Sequence, residues 1–128
     1  ALIEAIRAFN PEIIVVAPAI SGTLDQVKAS GLRVTAECYA DRRYGPNGRI
    51  VDRSHPRATV ESAEIAAVQV IGVVREGTVE TVDGTMVRMT ADTVCLHSDT
   101  PGAAEMGKAV AAALNAEGIE IKPTTELI

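Results

Sequence analysis

Apolar residues along the chain follow two patterns that alternate, short continuous runs and positions spaced one helical turn apart. Continuous runs are typical of strands buried in a parallel sheet, and the turn spacing is typical of helices. The first third of the chain therefore predicts the end of a helix, a strand, a helix closed by a glycine and a second strand. These elements are Ala1–Phe9, Glu12–Ala17, a helix capped by Ser21 or Thr23 and stopped at Gly31, and Arg33–Ala40.

The rest of the chain continues the alternation after one interruption. Asp41–Thr59 has no periodicity and is rich in glycine and proline, so we expect a long, functional loop. The Asp-Gly pair within Thr78–Met89 is a strong hairpin signal, which predicts a β-hairpin inserted on the surface of the main sheet. The remaining elements are a helix over about Ser62–Arg75 with Ile65, Val68 and Ile71 or Gly72 at helical spacing, a strand Thr93–His97, a helix ending at Gly118 and a short strand Ile119–Ile121.

Composition narrows the class of protein. The chain has 128 residues, of which 47% are hydrophobic and only 2% aromatic, so its core must be aliphatic. A net charge of −5 argues against a nucleic-acid partner, because phosphate binding needs a basic surface. No apolar run approaches the length of a bilayer span, and we expect no membrane partner and a cytoplasmic location. In that compartment Cys38 and Cys95 are expected to be reduced packing residues.

The first polar stretch, Glu37–Tyr44, runs from the end of a predicted strand into the long loop. Since side chains alternate across a strand, Glu37, Tyr39 and Asp41 share one face with Thr35. Arg42 and Arg43 follow directly. A salt-bridged strand end is one interpretation of this cluster, and a ligand site is the other.

The second polar stretch, Ala91–Pro101, also runs from strand to loop. His97 and Asp99 lie on one face, about 7 Å apart, so both can line one pocket. Thr100 and Pro101 have the order expected of a helix start, with Thr100 as its cap. Such a start is either an anion site or a plain helix cap, and the sequence favours neither.

Together these stretches resemble the LamB/YcsF family over nearly the whole chain, to Pro123. Ser98 stands where that family usually has glycine. The resemblance implies an α/β fold that is part of a (β/α) barrel of the polysaccharide-deacetylase type. Residues 1–128 would then be a single partial domain, the C-terminal half of such a barrel. The most specific matching segments are Glu37, Ala40–Tyr44, Arg53–Ser54, Ala91–Thr93, His97 and Asp99–Pro101.

The family also implies an activity, that of the A subunit of 5-oxoprolinase. This enzyme hydrolyses the lactam 5-oxoproline to L-glutamate with ATP and needs subunits B and C. On this basis the candidate catalytic residues are Glu37, Asp41, His97 and Asp99, and the candidate substrate-binding residues are Arg42, Arg43 and Thr100. Glu37 is suited to proton transfer, and arginine is suited to bidentate binding of a carboxylate or phosphate.

Two rival functions remain open at this stage. One is a metal-dependent amide hydrolase or carbohydrate deacetylase, which the barrel type alone would allow. The other is a non-catalytic scaffold whose loop Asp41–Thr59 docks a partner. The sequence has no P-loop and no self-contained zinc motif, so any ATP site must be of another kind, and the need for a divalent metal stays open.

Three strands with helices cannot close a barrel, so apolar faces and strand edges would stay uncovered. We therefore expect the 128 residues alone to associate, either with an N-terminal half or with another copy, and to be inactive. We also expect Glu37, His97 and Asp99 to face one cavity at the carboxyl edge of the sheet.

Overall fold

The protein, described here by a computed structural model of all 128 residues, is an α/β structure built on a parallel sheet. The sheet strands are β1 (Val15–Pro18), β2 (Val34–Tyr39) and β5 (Thr93–Cys95). They lie in the order β1-β2-β5, which places the strand with the most polar sequence in the centre. β2 pairs with β1 from Val15↔Val34 to Pro18↔Glu37 and with β5 from Glu37↔Thr93 to Tyr39↔Cys95.

Four helices surround this sheet, and most of their ends follow from local sequence. They are α1 (Leu2–Phe9), α2 (Gly22–Ser30), α3 (Ala63–Ile71), which continues as a π-helical turn over Gly72–Glu76, and α4 (Ala103–Ala116). Ser21 caps α2 by accepting a hydrogen bond from the Leu24 amide at 3.1 Å, and Gly31 ends it in the left-handed region at φ 78°. Ser62 caps α3 in the same way, through the Ile65 amide at 3.3 Å.

The core is aliphatic, as the composition predicts. Its largest cluster lies between α3 and α4 and consists of Ala40, Val60, Ala66, Val70, Met106, Val110 and Leu114. The predicted apolar stripe of α3 is wrong in part: Ile71 packs against this cluster, but Val68 is 73% exposed, and Ala66 and Val70 are buried instead. The small side chain of Ala66 faces α4. Each residue turns a helix by about 100°, so Val68, two residues further on, lies on the opposite side of α3 and faces solvent.

A two-stranded antiparallel ribbon, β3 (Thr78–Glu80) with β4 (Met86–Arg88), encloses the Asp83-Gly84 turn. It packs against the body of the protein more closely than a surface excursion would, since Val79 and Thr81 are fully buried. The backbone of Thr81 bridges to that of Tyr44 in the long loop. The ribbon therefore forms one wall of a second apolar cluster, with Cys38, Tyr44, Val73, Val79 and Met89.

Two sequence predictions fail at the ends of elements. Residues 119–121 form no strand, because they pair with no neighbour and the sheet ends at β5. β5 itself stops at Cys95, so His97 lies in the following loop. Both cysteines are free, and burial raises the pKa of the Cys38 thiol to about 12, consistent with a packing role.

Candidate functional site

Residues 41–59 form a loop that is ordered by its own contacts. Isolated antiparallel bridges join Arg42 to Thr59 and Tyr44 to Ile50, which fold the segment back on itself. The buried Tyr44 hydroxyl accepts a hydrogen bond from the Tyr39 amide at 2.7 Å, directly where β2 ends. The loop is thereby anchored at the carboxyl edge of the sheet, where parallel α/β folds place their ligands.

Asp41 is the centre of the polar cluster at this edge. Its carboxylate is fully buried and accepts hydrogen bonds from the His97 ring nitrogen Nδ1 at 3.0 Å and from the Thr100 hydroxyl at 2.5 Å. The His97 amide lies 3.4 Å from the same carboxylate. Sequence reasoning associated His97 with Asp99, whereas the structure pairs it with Asp41.

Burial alone would raise the pKa of the Asp41 carboxyl, but the hydrogen bonds from Thr100 and His97 outweigh it and hold that pKa below its usual value. An ionised Asp41 accepts from Nδ1, which places the imidazole proton there and leaves the Nε2 lone pair free. The Tyr39 ring stacks on the imidazole at 5.8 Å with an interplanar angle of 17°. The His97 ring is therefore held in one orientation by two neighbours.

Glu37 lies two residues before Tyr39 on β2 and borders a cavity of about 540 Å³. Burial raises the pKa of the Glu37 carboxyl, and the neighbouring charge of His97 opposes this shift only in part. The cavity opens beyond the carboxyl ends of β1 and β2. Its lining residues are Pro18, Ala19, Ile20, Ser21, Gly22, Thr23, Gln26, Glu37, Tyr39, Tyr44, Gly48, Arg49, Ile50 and Met89.

Arg42 and Arg43, predicted to bind substrate, direct their guanidinium groups to the protein. Arg42 donates to the carbonyls of Val51 at 2.8 Å and Ala58 at 3.3 Å. Arg43 donates to the Glu61 carboxylate at 3.0 Å. Both arginines are buried, and neither lines the cavity beside Glu37. Their contribution to ligand binding stays a prediction.

Asp99 and Thr100 also differ from their expected positions. The Asp99 carboxylate is 65% exposed and pairs with Arg53 at 3.2 Å, away from the buried carboxylate. Thr100 does not cap a helix, because its hydroxyl is committed to Asp41 and α4 begins later, after Gly102 at φ 76°. Pro101 consequently lies outside the helix. The structure brings together Asp41, His97 and Thr100 and leaves Asp99 at the surface. Neither His97 nor Asp99 lines the cavity beside Glu37, so the prediction of one cavity shared by all three is wrong. The Tyr39 ring connects the two groups, since it stacks on His97 and also lines the cavity.

Two cavity residues, Gln26 and Arg49, were missed by sequence reasoning. In the sequence, Gln26 has the spacing of a capping-box partner of Thr23, and Arg49 lies in a loop without periodicity. Only proximity in the fold identifies them. The chain contains no group of three or more His, Cys, Asp or Glu side chains arranged to hold a metal ion. None of its helices is long and apolar enough to cross a membrane.

The cluster at the sheet edge consists of the segments that carry the family resemblance. The profile of the LamB/YcsF family matches residues 1–128. The chain belongs to the LamB/YcsF family. Its relatives include the 5-oxoprolinase A subunit of Acinetobacter baumannii (strain ACICU), 42% identical over 123 residues, which are 96% of this chain and 48% of that protein. The 5-oxoprolinase A subunit of Mycobacterium avium (strain 104) is 40% identical over 122 residues, which are 95% of this chain and 48% of that one.

A solved LamB/YcsF relative has the same fold. The crystal structure of the lactam utilization protein from Thermus thermophilus superimposes with a TM-score of 0.84 at 34% identity, covering 93% of this chain and 47% of that one. The present chain thus spans about half the length of the relatives that it matches.

Proposed function

We propose that the chain contributes the base and its carboxylate partner to a 5-oxoprolinase, as part of the A subunit of that enzyme. Relatives with that name match nearly the whole chain, and one structural relative is named for lactam utilization. The single observation that carries the proposal is the pairing of half-buried His97, through Nδ1, with the fully buried carboxylate of Asp41, which leaves Nε2 free. His97 stacks on Tyr39, and Tyr39 lines the cavity beside Glu37. The substrate would be 5-oxoproline and the product L-glutamate.

The architecture we propose is one half of a (β/α) barrel of the polysaccharide-deacetylase type, with the β3–β4 ribbon inserted. β1 and β5 each have a free edge, and a barrel has none. Val16 on β1 is 48% exposed, which is high for a strand of a parallel sheet and is consistent with a further layer of protein. Residues 1–128 would form a single partial domain in this arrangement.

Opening a lactam adds one water molecule across the ring C–N bond. In this scheme His97 Nε2 removes a proton from the attacking water, and the oxygen bonds to the carbonyl carbon. Asp41 holds the imidazole in the required tautomer and stabilises the imidazolium that forms. Glu37, whose pKa is raised, is suited to give a proton to the departing ring nitrogen. These assignments use only groups at the carboxyl edge.

ATP fits this half of the protein poorly. A triphosphate calls for several free cations, but Arg42, Arg43, Arg53 and Arg57 all donate to protein groups in the structure. We therefore place ATP binding with the partner subunits B and C or with other parts of the protein. The proposed step is written with protein groups and water.

The test is substitution of His97 in the protein at its full natural length, assayed with subunits B and C of a related 5-oxoprolinase. His97→Gln should lower kcat for glutamate release by about 10²–10⁴ with little change in KM, because general-base catalysis contributes that much. His55→Gln is the matched control: His55 is half-buried in the loop, its Nδ1 accepts the Arg57 amide at 3.0 Å, and a glutamine oxygen can accept the same bond, so turnover should stay at the wild-type level. Wild-type turnover in His97→Gln would contradict the proposal.

The same assay distinguishes the two rival functions. Amide hydrolysis that needs a divalent metal and no ATP would favour the metal-dependent hydrolase. A scaffold role predicts another result, in which charge reversal at exposed loop residues prevents the subunits from associating while His97→Gln leaves turnover intact.

A further inference from the structure

The loop over residues 41–59 contains five arginines, and one of them differs from the rest. Four guanidinium groups donate to protein acceptors: Arg42 to Val51 and Ala58, Arg43 to Glu61, Arg53 to Asp99 and Arg57 to Val82. The Arg49 side chain makes no hydrogen bond and no ion pair in the structure. It is also the only one of the five that borders the cavity beside Glu37.

The backbone of Arg49 is nevertheless held firmly. Its amide donates to the Asn47 side-chain oxygen at 3.0 Å, and its carbonyl accepts from the Gly45 amide at 2.8 Å. Gly48, immediately before it, is at φ 73°, and a Cβ there would lie 2.3 Å from the Ile20 Cδ1 atom. The loop tip is thus pressed against the segment that follows β1. The backbone from which the unpaired Arg49 side chain extends is therefore held in place at the cavity wall.

The cavity has the size and the lining of a small-molecule site. Its volume of about 540 Å³ is in the usual range for such pockets. Arg49 is its only lysine or arginine and Glu37 its only acidic residue. The hydroxyls of Thr23 and Tyr39 and the amide of Gln26 supply neutral hydrogen-bonding groups, whereas the Ser21 hydroxyl already donates to the Pro18 carbonyl and accepts from the Leu24 amide. One cation among neutral donors suits a small molecule that carries a single negative charge.

We propose that Arg49 binds the carboxylate of a small monocarboxylic acid held in this cavity. The proposal deepens the proposed function and rests on it only for the identity of that acid, 5-oxoproline. A guanidinium fork bonds both oxygens of a carboxylate, and a free one does so without first losing protein contacts. Bound in this way, the ring amide of the substrate lies among the neutral donors and beside Glu37. Arg49 is then a specificity residue, and Arg42 and Arg43 hold the loop.

The test measures binding by isothermal titration calorimetry to the protein at its full natural length. The probes are 5-oxoproline, the neutral lactam 2-pyrrolidinone, and cyclopentanecarboxylate, which has the carboxylate without the lactam. Arg49→Gln should weaken binding of both carboxylates by about 10- to 100-fold, the usual effect of losing hydrogen bonds to a charged group. Its affinity for 2-pyrrolidinone should not change. Arg88→Gln, which removes the same charge from exposed β4, should bind all three probes as the wild type does.

The outcomes separate this inference from the proposed function. Equal binding of 5-oxoproline by the wild type and Arg49→Gln overturns the role of Arg49, even where glutamate is formed. Arg49-dependent binding of cyclopentanecarboxylate without any lactam opening supports the carboxylate site and overturns the proposed reaction. No binding of either carboxylate by the wild type overturns the inference. Arg49→Lys should retain part of the affinity, because it keeps the charge and loses the fork.

Discussion

Asp41→Asn tests whether the buried carboxylate serves the chemistry or only the fold. The substitution keeps the shape of the side chain and removes its charge, while the site still presents His97 Nδ1 and the Thr100 hydroxyl, within 3.0 Å and 2.5 Å of the carboxylate. His97 Nδ1 lies 3.0 Å from both carboxylate oxygens, so in the amide one of these two contacts becomes an NH₂ donor that faces Nδ1. Where the NH₂ group faces Nδ1, the imidazole must change tautomer and carry its proton on Nε2. His97 then cannot act as a base.

The expected magnitudes follow from these contacts. Loss of the correct tautomer should lower kcat by about 10⁴, the size of this effect in a serine protease triad. The weakened hydrogen bonds should lower the free energy of unfolding by about 1–3 kcal/mol. Each kcal/mol corresponds to a fall in Tm of roughly 2–8 °C for domains near this size. Turnover and calorimetric melting, measured on the same samples, give both quantities.

The pH dependence of Tm provides an internal check. The Asp41 pKa is lowered in the folded state, so the stability that its charge contributes is present above the unfolded value and is lost as the pH falls through the folded one. The difference in Tm between wild type and Asp41→Asn should therefore shrink as the pH falls below about 4. Asp25→Asn, an exposed change on α2, should show none of these effects. A large fall in Tm with normal turnover of the folded fraction would make Asp41 purely structural.

Three further predictions concern stability and association. Glu37→Gln should raise Tm above about pH 5 and leave it unchanged near pH 3. The pKa of the Glu37 carboxyl is raised in the folded state, so this group destabilises the protein once the pH exceeds its pKa in the unfolded state. A gain in Tm at low pH would refute this. Gly84→Ala, at positive φ with open space around it, should lower the free energy of unfolding by about 1–2 kcal/mol in urea titration. Gly48→Ala should lower it further, because its Cβ would also meet the Ile20 side chain, and equal losses in the two variants would contradict this. Residues 1–128 expressed alone should self-associate through exposed Phe9 and the free sheet edges, and a protected monomer in light scattering and amide exchange would contradict this.

The order of elements was predictable because it depends on local signals. The continuous apolar run before Pro18, the left-handed Gly31 and the Asp-Gly turn each determine a feature within a few residues. The face of α3 was not predictable in this way, since it depends on how closely Ala66 approaches α4, which is a property of the pair of helices. The strand predicted at 119–121 is missing for a similar reason. A segment forms a strand only where a neighbouring strand is available to pair with it, and that depends on the tertiary fold.

At the candidate site, too, local patterns predicted individual residues but not the contacts that those residues make. Strand parity identified Glu37 and Asp41, and the order of polar residues after β5 identified His97. The partner of His97 was assigned by nearness in sequence to Asp99, but the carboxylate that it contacts lies 56 residues earlier. The arginines next to Asp41 read as ligands because their type suits the role. Whether a guanidinium is free depends on loop carbonyls that no pattern in the chain specifies.

Tyr44 contacts three parts of the molecule: the end of β2, the opposite side of the long loop and the turn of the β3–β4 ribbon. Its hydroxyl bonds the end of β2, its backbone bridges to Ile50 across the loop, and its carbonyl accepts the Val82 amide of the ribbon turn at 2.8 Å. The residue is fully buried and borders the cavity, so a displacement of Tyr44 would disturb all three contacts. A ligand that displaces this part of the loop would therefore act on the ribbon through a single residue. Faster amide exchange at Val82, whose amide would lose the Tyr44 carbonyl, would report occupancy of a cavity that Val82 itself does not line.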